Sequence, residues 1–163
     1  MSLRSHNGVL LCKDGHLCTT CCTPNDLSLR IWYEWVEPNH DLDTGTRFLG
    51  QTVGWSYAPP SGIVYEVWTS GDNQGTGPET VECYVGQYHN IAWSGSVQID
   101  CMAGWFELAN NPAYWGNPAT IRVVFNGVTQ SMSISPGHQN IKATHPVAKI
   151  IVLDDFTFTL TDP

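Results

Sequence analysis

Short segments of this chain alternate between apolar and polar residues. In Phe156–Thr161 every second residue is a threonine, and in Leu27–Trp35 the leucines, Ile31, Tyr33 and Trp35 share one side. Successive side chains of a β-strand point to opposite faces, so a period of two predicts strands with one buried face. Helical periodicity is hard to find between these segments. The sequence therefore predicts an all-β protein.

Turn residues separate these segments at short intervals. Asn126-Gly127 predicts a tight hairpin turn, because both positions of a type I′ turn need positive φ. About ten short strands with this spacing are typical of an antiparallel β-sandwich or jelly roll. The other predicted strands are Thr46–Tyr57, Ile63–Thr69, Thr80–Val85, Asn90–Asp100, Met102–Leu108, Ala119–Asn126, Val128–Ile134 and Val147–Leu153.

The chain divides into one large domain and a short arm. Its 163 residues are the size of a single domain, and 42% of them are hydrophobic, which is enough for a core. The sequence shows no internal repeat and no linker that would split the chain in two. We assign residues 27–163 to a β-sandwich domain and residues 1–26 to a cysteine-rich N-terminal arm.

Four cysteines, Cys12, Cys18, Cys21 and Cys22, lie in the arm. Cys18 and Cys21 have the spacing of a zinc knuckle, and Cys12, Cys22 or His16 could complete a tetrahedral Zn²⁺ site. Disulfides and buried free thiols are the alternatives, and the sequence leaves all three open. Either a zinc ion or disulfides would act as a structural staple for an arm with little core of its own.

The two remaining cysteines, Cys83 and Cys101, lie in predicted strands far from the arm. With six cysteines in total, an even number, complete pairing is allowed. We therefore expect that a disulfide could join Cys83 and Cys101, between neighbouring strands or across the sandwich.

The segment Asp41–Gly45 has the D-x-D-x-G pattern of the first half of a calcium loop. It lacks a glutamate at the downstream position where such loops supply a bidentate ligand. We interpret it as a turn between strands, stabilised by the side chains of Asp41 and Asp43. Calcium is therefore not expected here.

Charge and composition exclude several classes of function. The formal net charge is −8 with only seven lysines and arginines, and these form no cluster, so a nucleic-acid partner is not expected. Apolar runs are too short to span a membrane. Ser5–Gly8 interrupts any apolar core of a signal peptide, so none is expected. Carboxylates, serines and histidines show no catalytic spacing, and we predict no enzymatic activity.

Seven tryptophans are a large number for a chain of this length. Trp32 and Trp35 fall on opposite faces of one strand, so both cannot belong to a one-sided core. Tyr114 and Trp115 lie in a loop rich in proline and asparagine. We predict that Trp32, Tyr114 and Trp115 contribute to a surface that contacts another protein or stacks on a sugar.

Four segments carry a resemblance to a known group of proteins. Cys21–Pro24, Leu27–Leu29, Trp93–Ser96 and Cys101–Trp105 resemble small uncharacterised β-rich proteins with a Cys-Cys pair, encoded by planctomycete-like bacteria and phage-associated genomes. The resemblance implies a structural or attachment role in a particle or envelope.

Two functional hypotheses follow. The first is a non-enzymatic subunit or decoration of a larger assembly, a virion or extracellular particle, built with copies of itself or with other subunits. Low charge and many aromatic residues suit a surface that neighbours cover. The second is a carbohydrate-binding module with a glycan as its partner.

Overall fold

The computed structural model describes residues 4–6, 9–11, 28–36, 40–54, 62–64, 67–73, 75, 77–85, 96–106, 117–138 and 145–163. Within these residues the regular structure consists of strands, and the prediction of an all-β protein is confirmed. The strands are β1 (Arg4–His6), β2 (Val9–Leu11), β3 (Leu29–Glu34), β4 (Asp41–Phe48), β5 (Gln51–Gly54), β6 (Gly62–Val64), β7 (Val67–Thr69), β8 (Glu79–Cys83), β9 (Ser96–Phe106), β10 (Ala119–Phe125), β11 (Val128–Ile134), β12 (Gly137–His138), β13 (Ala148–Leu153) and β14 (Phe158–Thr161).

Strands β3–β11, β13 and β14 form two antiparallel sheets, as predicted. The first sheet has the order β11-β10-β3-β8-β7-β6, and the second has the order β14-β13-β9-β4-β5. The short strand β12 adds a parallel pair to the end of β9, which the sequence did not predict. Strands β1 and β2 form a separate hairpin within the predicted arm.

The two sheets enclose one hydrophobic core. Along β3, Leu29, Ile31 and Tyr33 are completely buried, and Trp35 follows them at 4% exposure. The Tyr33 hydroxyl reaches the second sheet, 2.6 Å from Thr46 Oγ1 and 3.1 Å from the carbonyl oxygen of Gly45. The alternation predicted for this strand is therefore confirmed over the part that the structure describes.

The turn at Asn126-Gly127 is also confirmed. Both residues have positive φ, 49° and 76°, and they join β10 to β11 with Phe125 opposite Val128. A second turn was missed inside the predicted strand Thr46–Tyr57. Leu49 and Gly50 have φ of 48° and 78°, and they separate β4 from β5.

The interpretation of Asp41–Gly45 as a turn is wrong. These residues lie in β4, with Asp41 opposite Phe106 and Asp43 opposite Gly104 of β9. The physical reason is the neighbour: β9 is an eleven-residue strand that runs through the positions where two strands were predicted, so it offers backbone partners to all of β4. Pairing with β9 satisfies the backbone groups that an isolated turn would have left to side chains.

Several expectations concern residues outside the described part of the chain. These include the zinc or disulfide staple at Cys12, Cys18, Cys21 and Cys22, and the aromatic pair Tyr114 and Trp115. They stay predictions. Among the described residues, no helix reaches the length and apolarity required to cross a membrane.

Candidate metal centre

Three aspartates converge at the beginning of β4. Asp41 and Asp43 are two residues apart, so their side chains leave the same face of the strand. Both are buried, with 5% and 1% exposure, whereas Asp72 is an exposed residue of the loop between β7 and β8. One ligand atom from each of the three carboxylates lies within 4.8 Å of the other two.

Trp35 holds the two halves of this cluster together. Its indole Nε1 donates to the carbonyl oxygen of His40 at 3.0 Å and to that of Gly75 at 2.6 Å. His40 directly precedes Asp41, and Gly75 belongs to the same loop as Asp72. One buried side chain therefore fixes the start of β4 and the β7–β8 loop relative to each other.

The β7–β8 loop packs closely against the Trp35 side chain. Gly71 is buried, and Gly77 lies against the Trp35 ring. A Cβ atom on Gly77 would come within 2.6 Å of Trp35 Cε3. Glycine at this position permits the close approach that brings Asp72 to β4.

Glu79, the first residue of β8, is a fourth acidic group beside the cluster. It is 2% exposed, accepts a hydrogen bond from the Thr44 hydroxyl, and accepts a second from the backbone N–H of Asn73 at 3.2 Å. Burial raises the pKa of Glu79 to about 8, and the charges of Asp72 and Asp43 add to the rise, whereas the two hydrogen bonds oppose it. Glu79 is therefore largely protonated near neutral pH, and it ties the loop to β4.

Two carboxylate oxygen atoms of the cluster are shielded from solvent. Asp41 Oδ1 and Asp43 Oδ2 are buried and accept no hydrogen bond. The two residues do interact elsewhere, so the feature belongs to these atoms and not to the whole side chains.

The donor set of the cluster consists of carboxylates only. Carboxylate oxygens are hard ligands that suit Ca²⁺, Mg²⁺ or Mn²⁺, whereas Zn²⁺ in structural sites prefers thiolate and imidazole. The D-x-D pattern identified two members of the cluster from the sequence. The third, Asp72, lies in a distant loop and carries no signal in the local sequence pattern.

Trp32 lies on the outer face of the first sheet, as predicted, and it is half-buried. The Arg122 guanidinium lies over its ring, with Cζ 4.1 Å from the ring centroid. Arg122 is held there by an ion pair with Glu34 at 2.6 Å. One face of the Trp32 ring is therefore occupied by a neighbouring side chain. Tyr114 and Trp115 lie outside the described residues, so their placement relative to Trp32 stays a prediction.

The expected bridge between Cys83 and Cys101 is not formed, because both residues are buried free thiols. Cys83 lies at the end of β8 in the first sheet and Cys101 lies in β9 of the second, so they are not on neighbouring strands. Burial raises the pKa of the Cys101 thiol to about 12 and that of Cys83 well above its ordinary value. Both behave as small apolar core residues.

We expect the folded protein to protect both thiols from iodoacetamide at about pH 8, because the reagent attacks the thiolate and burial suppresses it. Mass spectrometry of peptides should show labelling of Cys83 and Cys101 only after denaturation. Labelling of the folded protein at the rate of a free cysteine would contradict the core assignment.

The raised pKa values also set the direction of a pH dependence. The stability that the protonated thiols contribute is complete below their unfolded pKa of about 8.5 and decreases as pH rises towards the folded value. Thermal melting between about pH 8 and 11 should show decreasing stability. Cys101→Ala removes one of these groups and should give a shallower decrease.

Comparison with known proteins adds no relationship. No protein-family model matches the chain, and no curated protein matches it significantly.

Proposed function

We propose that this chain is a non-enzymatic β-sandwich that serves as a subunit or decoration of a larger assembly, such as a virion or a cell-surface particle. Jelly-roll connectivity and a cysteine-stapled N-terminal arm belong to this proposal, as does the relationship to β-rich proteins of planctomycete-like bacteria and phage-associated genomes. The observation that carries it is the edge strand β11.

Strand β11 ends the first sheet, and among the described residues no strand or proline protects this edge. Its sequence, VTQSMSI, contains neither a charged residue nor a proline. Thr129, Ser131 and Ser133 are exposed along it. Natural sheets normally protect such edges with charge, proline or a covering segment, because an open edge pairs with other strands. An uncharged edge of seven residues therefore favours an interaction protein.

The hairpin turn determines which backbone groups of β11 remain available. Phe125 and Val128 close a two-residue turn, so they form a hydrogen-bonded pair. Because hydrogen-bonded and non-hydrogen-bonded pairs alternate in an antiparallel ladder, Gln130 and Met132 also bond to β10. The N–H and C=O groups of Thr129, Ser131 and Ser133 point away from the sheet.

Strand β14, the nearby edge of the second sheet, forms hydrogen bonds with a side chain of β11. Gln130 Nε2 donates to the carbonyl oxygen of Phe158 at 2.9 Å, and its Oε1 accepts from the N–H of Leu160 at 2.9 Å. A side chain of β11 thus satisfies backbone groups of β14. Within the described part of the chain, no strand lies along the outer side of β11 itself.

A second copy of the same chain is the partner that suits this edge. Two β11 strands related by a two-fold axis pair antiparallel, and each presents the same hydroxyl side chains to the other. Since β11 carries no charge, nothing in the strand repels its own copy. The same edge would accept a strand from another subunit of the assembly.

A carbohydrate-binding module is the second candidate. An aromatic ring beside charged hydrogen-bonding groups, as Trp32 is beside Arg122 and Glu34, occurs on sugar-binding surfaces. Arg122 must leave the ring before a sugar stacks on that face. The open edge therefore supports the assembly function more strongly.

The proposal predicts that Ser131→Pro turns an associated chain into a monomer. The proline removes an N–H that points away from β10, so it costs no bond of the existing ladder, while it blocks an added strand. The matched control is Ser131→Thr, which keeps the N–H and should associate like the wild type. Light scattering over a range of concentrations measures the difference. A wild type that stays monomeric would contradict the proposal.

A further inference from the structure

We propose that Gln130 determines the specificity of association: its side chain caps the edge strand β14, so that copies of the chain join through β11 at this side of the sandwich. The effect on the wild-type assembly rests on the association proposed for β11. The cap itself does not, because β14 belongs to the other sheet. Two hydrogen bonds of one side chain and the direction of the β14 backbone groups carry the inference.

The pairing of β14 with β13 determines which backbone groups of β14 point outward. The N–H of Leu153 donates to the carbonyl oxygen of Thr157 at 2.9 Å, so these two residues form a hydrogen-bonded pair beside the turn. Because hydrogen-bonded and non-hydrogen-bonded pairs alternate in an antiparallel ladder, Thr159 also bonds to β13. The backbone groups of Phe158 and Leu160 therefore point away from β13.

The Gln130 side chain bonds to these outward groups. Its Nε2 donates to the carbonyl oxygen of Phe158, and its Oε1 accepts from the N–H of Leu160, both at 2.9 Å. A side-chain amide offers a donor and an acceptor, as a peptide group does. A residue of a parallel neighbouring strand would bond in the same way, to a carbonyl group and to the N–H group two residues further on. Gln130 thus occupies the position on β14 that an added strand would need.

The sequence of β14 explains why this edge needs a cap. The strand, FTLT, contains neither a charged residue nor a proline, and Thr159 and Thr161 are exposed along it. Unpaired N–H and C=O groups on such an edge accept further strands. Among the described residues, no strand lies along the outer side of β14. The amide of Gln130 supplies the protection that the residues of β14 lack.

The cap predicts different assemblies for the wild type and for Gln130→Ala. A chain that associates through β11 alone forms a closed two-fold pair, because each copy occupies the edge of the other. Alanine at position 130 removes both hydrogen bonds to β14 and exposes its edge. A chain with two open edges continues to add copies, so this variant should form species larger than the wild type that grow with concentration.

Light scattering of the full-length protein over a range of concentrations measures this difference. Gln98→Ala is the matched control, because it removes an exposed glutamine from β9 of the same sheet and should keep the wild-type stoichiometry. Adding Thr159→Lys to Gln130→Ala should restore the wild-type stoichiometry, because a lysine on an edge strand opposes the addition of another strand. Restoration by this second change separates edge pairing from non-specific aggregation.

A double variant tests the cap without β11. Ser131→Pro alone should be a monomer, whereas Ser131→Pro combined with Gln130→Ala should dimerise through β14. Hydrogen exchange adds a measurement on the monomer. In Ser131→Pro the amide of Leu160, which donates to Gln130, should exchange at least about tenfold more slowly than that of Thr129, which points away from β10.

The outcomes separate the cap from the assembly function. A monomeric wild type together with a Gln130→Ala variant that dimerises would contradict the assembly function and support the cap. A folded Gln130→Ala variant with the wild-type stoichiometry at every concentration would overturn the cap, and so would a double variant that stays monomeric. Exchange of the Leu160 amide as fast as that of Thr129 in Ser131→Pro would overturn it as well.

Discussion

Replacing Gly54 with alanine is expected to destabilise the protein severely. Gly54 ends β5 at φ 121°, a backbone conformation that residues with a side chain rarely adopt. A Cβ atom there would lie 2.1 Å from the carbonyl oxygen of Thr44, which is a backbone atom of the paired strand. Neither partner can withdraw without breaking the β4–β5 ladder, so we expect a loss of more than about 4 kcal/mol.

The control for this change is Gly50→Ala. Gly50 also has positive φ, 78°, but a Cβ atom there meets nothing within 4 Å. The variant should lose only about 1 kcal/mol, the usual cost of placing alanine in a left-handed conformation. Urea unfolding of the two variants measures the difference. Equal losses would show that the clash with Thr44 is absent and that β4 and β5 do not pair as described.

The second large effect is expected at Trp35. Trp35 is buried, donates two hydrogen bonds, and lies edge-on to Trp105 with ring centroids 6.4 Å apart. Trp35→Ala leaves a cavity and two carbonyl groups without their donor, so we expect a loss of about 3–5 kcal/mol. The β7–β8 loop should become susceptible to proteolysis, because its attachment to β3 is gone.

Trp32→Ala is the matched comparison, since it removes the same residue type from the outer face of β3, whereas Trp35 follows this strand on its buried side. Only the contact with Arg122 and partial burial are lost, and we expect about 1 kcal/mol. Thermal or urea unfolding of the two variants would give this ranking. A reversed ranking would place Trp32 in the core and contradict the orientation of β3.

The orientation of β3 was predictable because it depends on residues close in sequence. The period of two in Leu29, Ile31 and Tyr33 indicates a strand with one buried face. The Asn126-Gly127 pair indicates a tight turn, because both residues readily adopt positive φ. In both cases the residues that predict the strand or the turn are the residues that form it.

The central strands were harder to predict because neighbours on both sides decide their structure. Met102, Ala103 and Trp105 of β9 are all buried, so the alternation that would mark a single strand is lost there. The same neighbour draws Asp41 and Asp43 into β4, although aspartate ordinarily favours turns. Pairing with a distant strand outweighed local preference in both places.

The candidate site was predictable only in part. The D-x-D pattern marked Asp41 and Asp43, but the contribution of Asp72 depends on a loop that Trp35 and Gly77 hold against β4. The expected bridge between Cys83 and Cys101 shows a different limit: an even number of cysteines permits pairing but does not require it, and both thiols are free in the core.

Hydrogen exchange followed by NMR tests most directly whether the edge strand β11 joins one copy of the chain to another, as we propose. At concentrations where the chain associates, the amides of Thr129, Ser131 and Ser133 should exchange slowly, and dilution should make them fast. The amide of Met132, bonded to β10, should stay slow throughout. Fast exchange at Thr129, Ser131 and Ser133 at every concentration would contradict the claim.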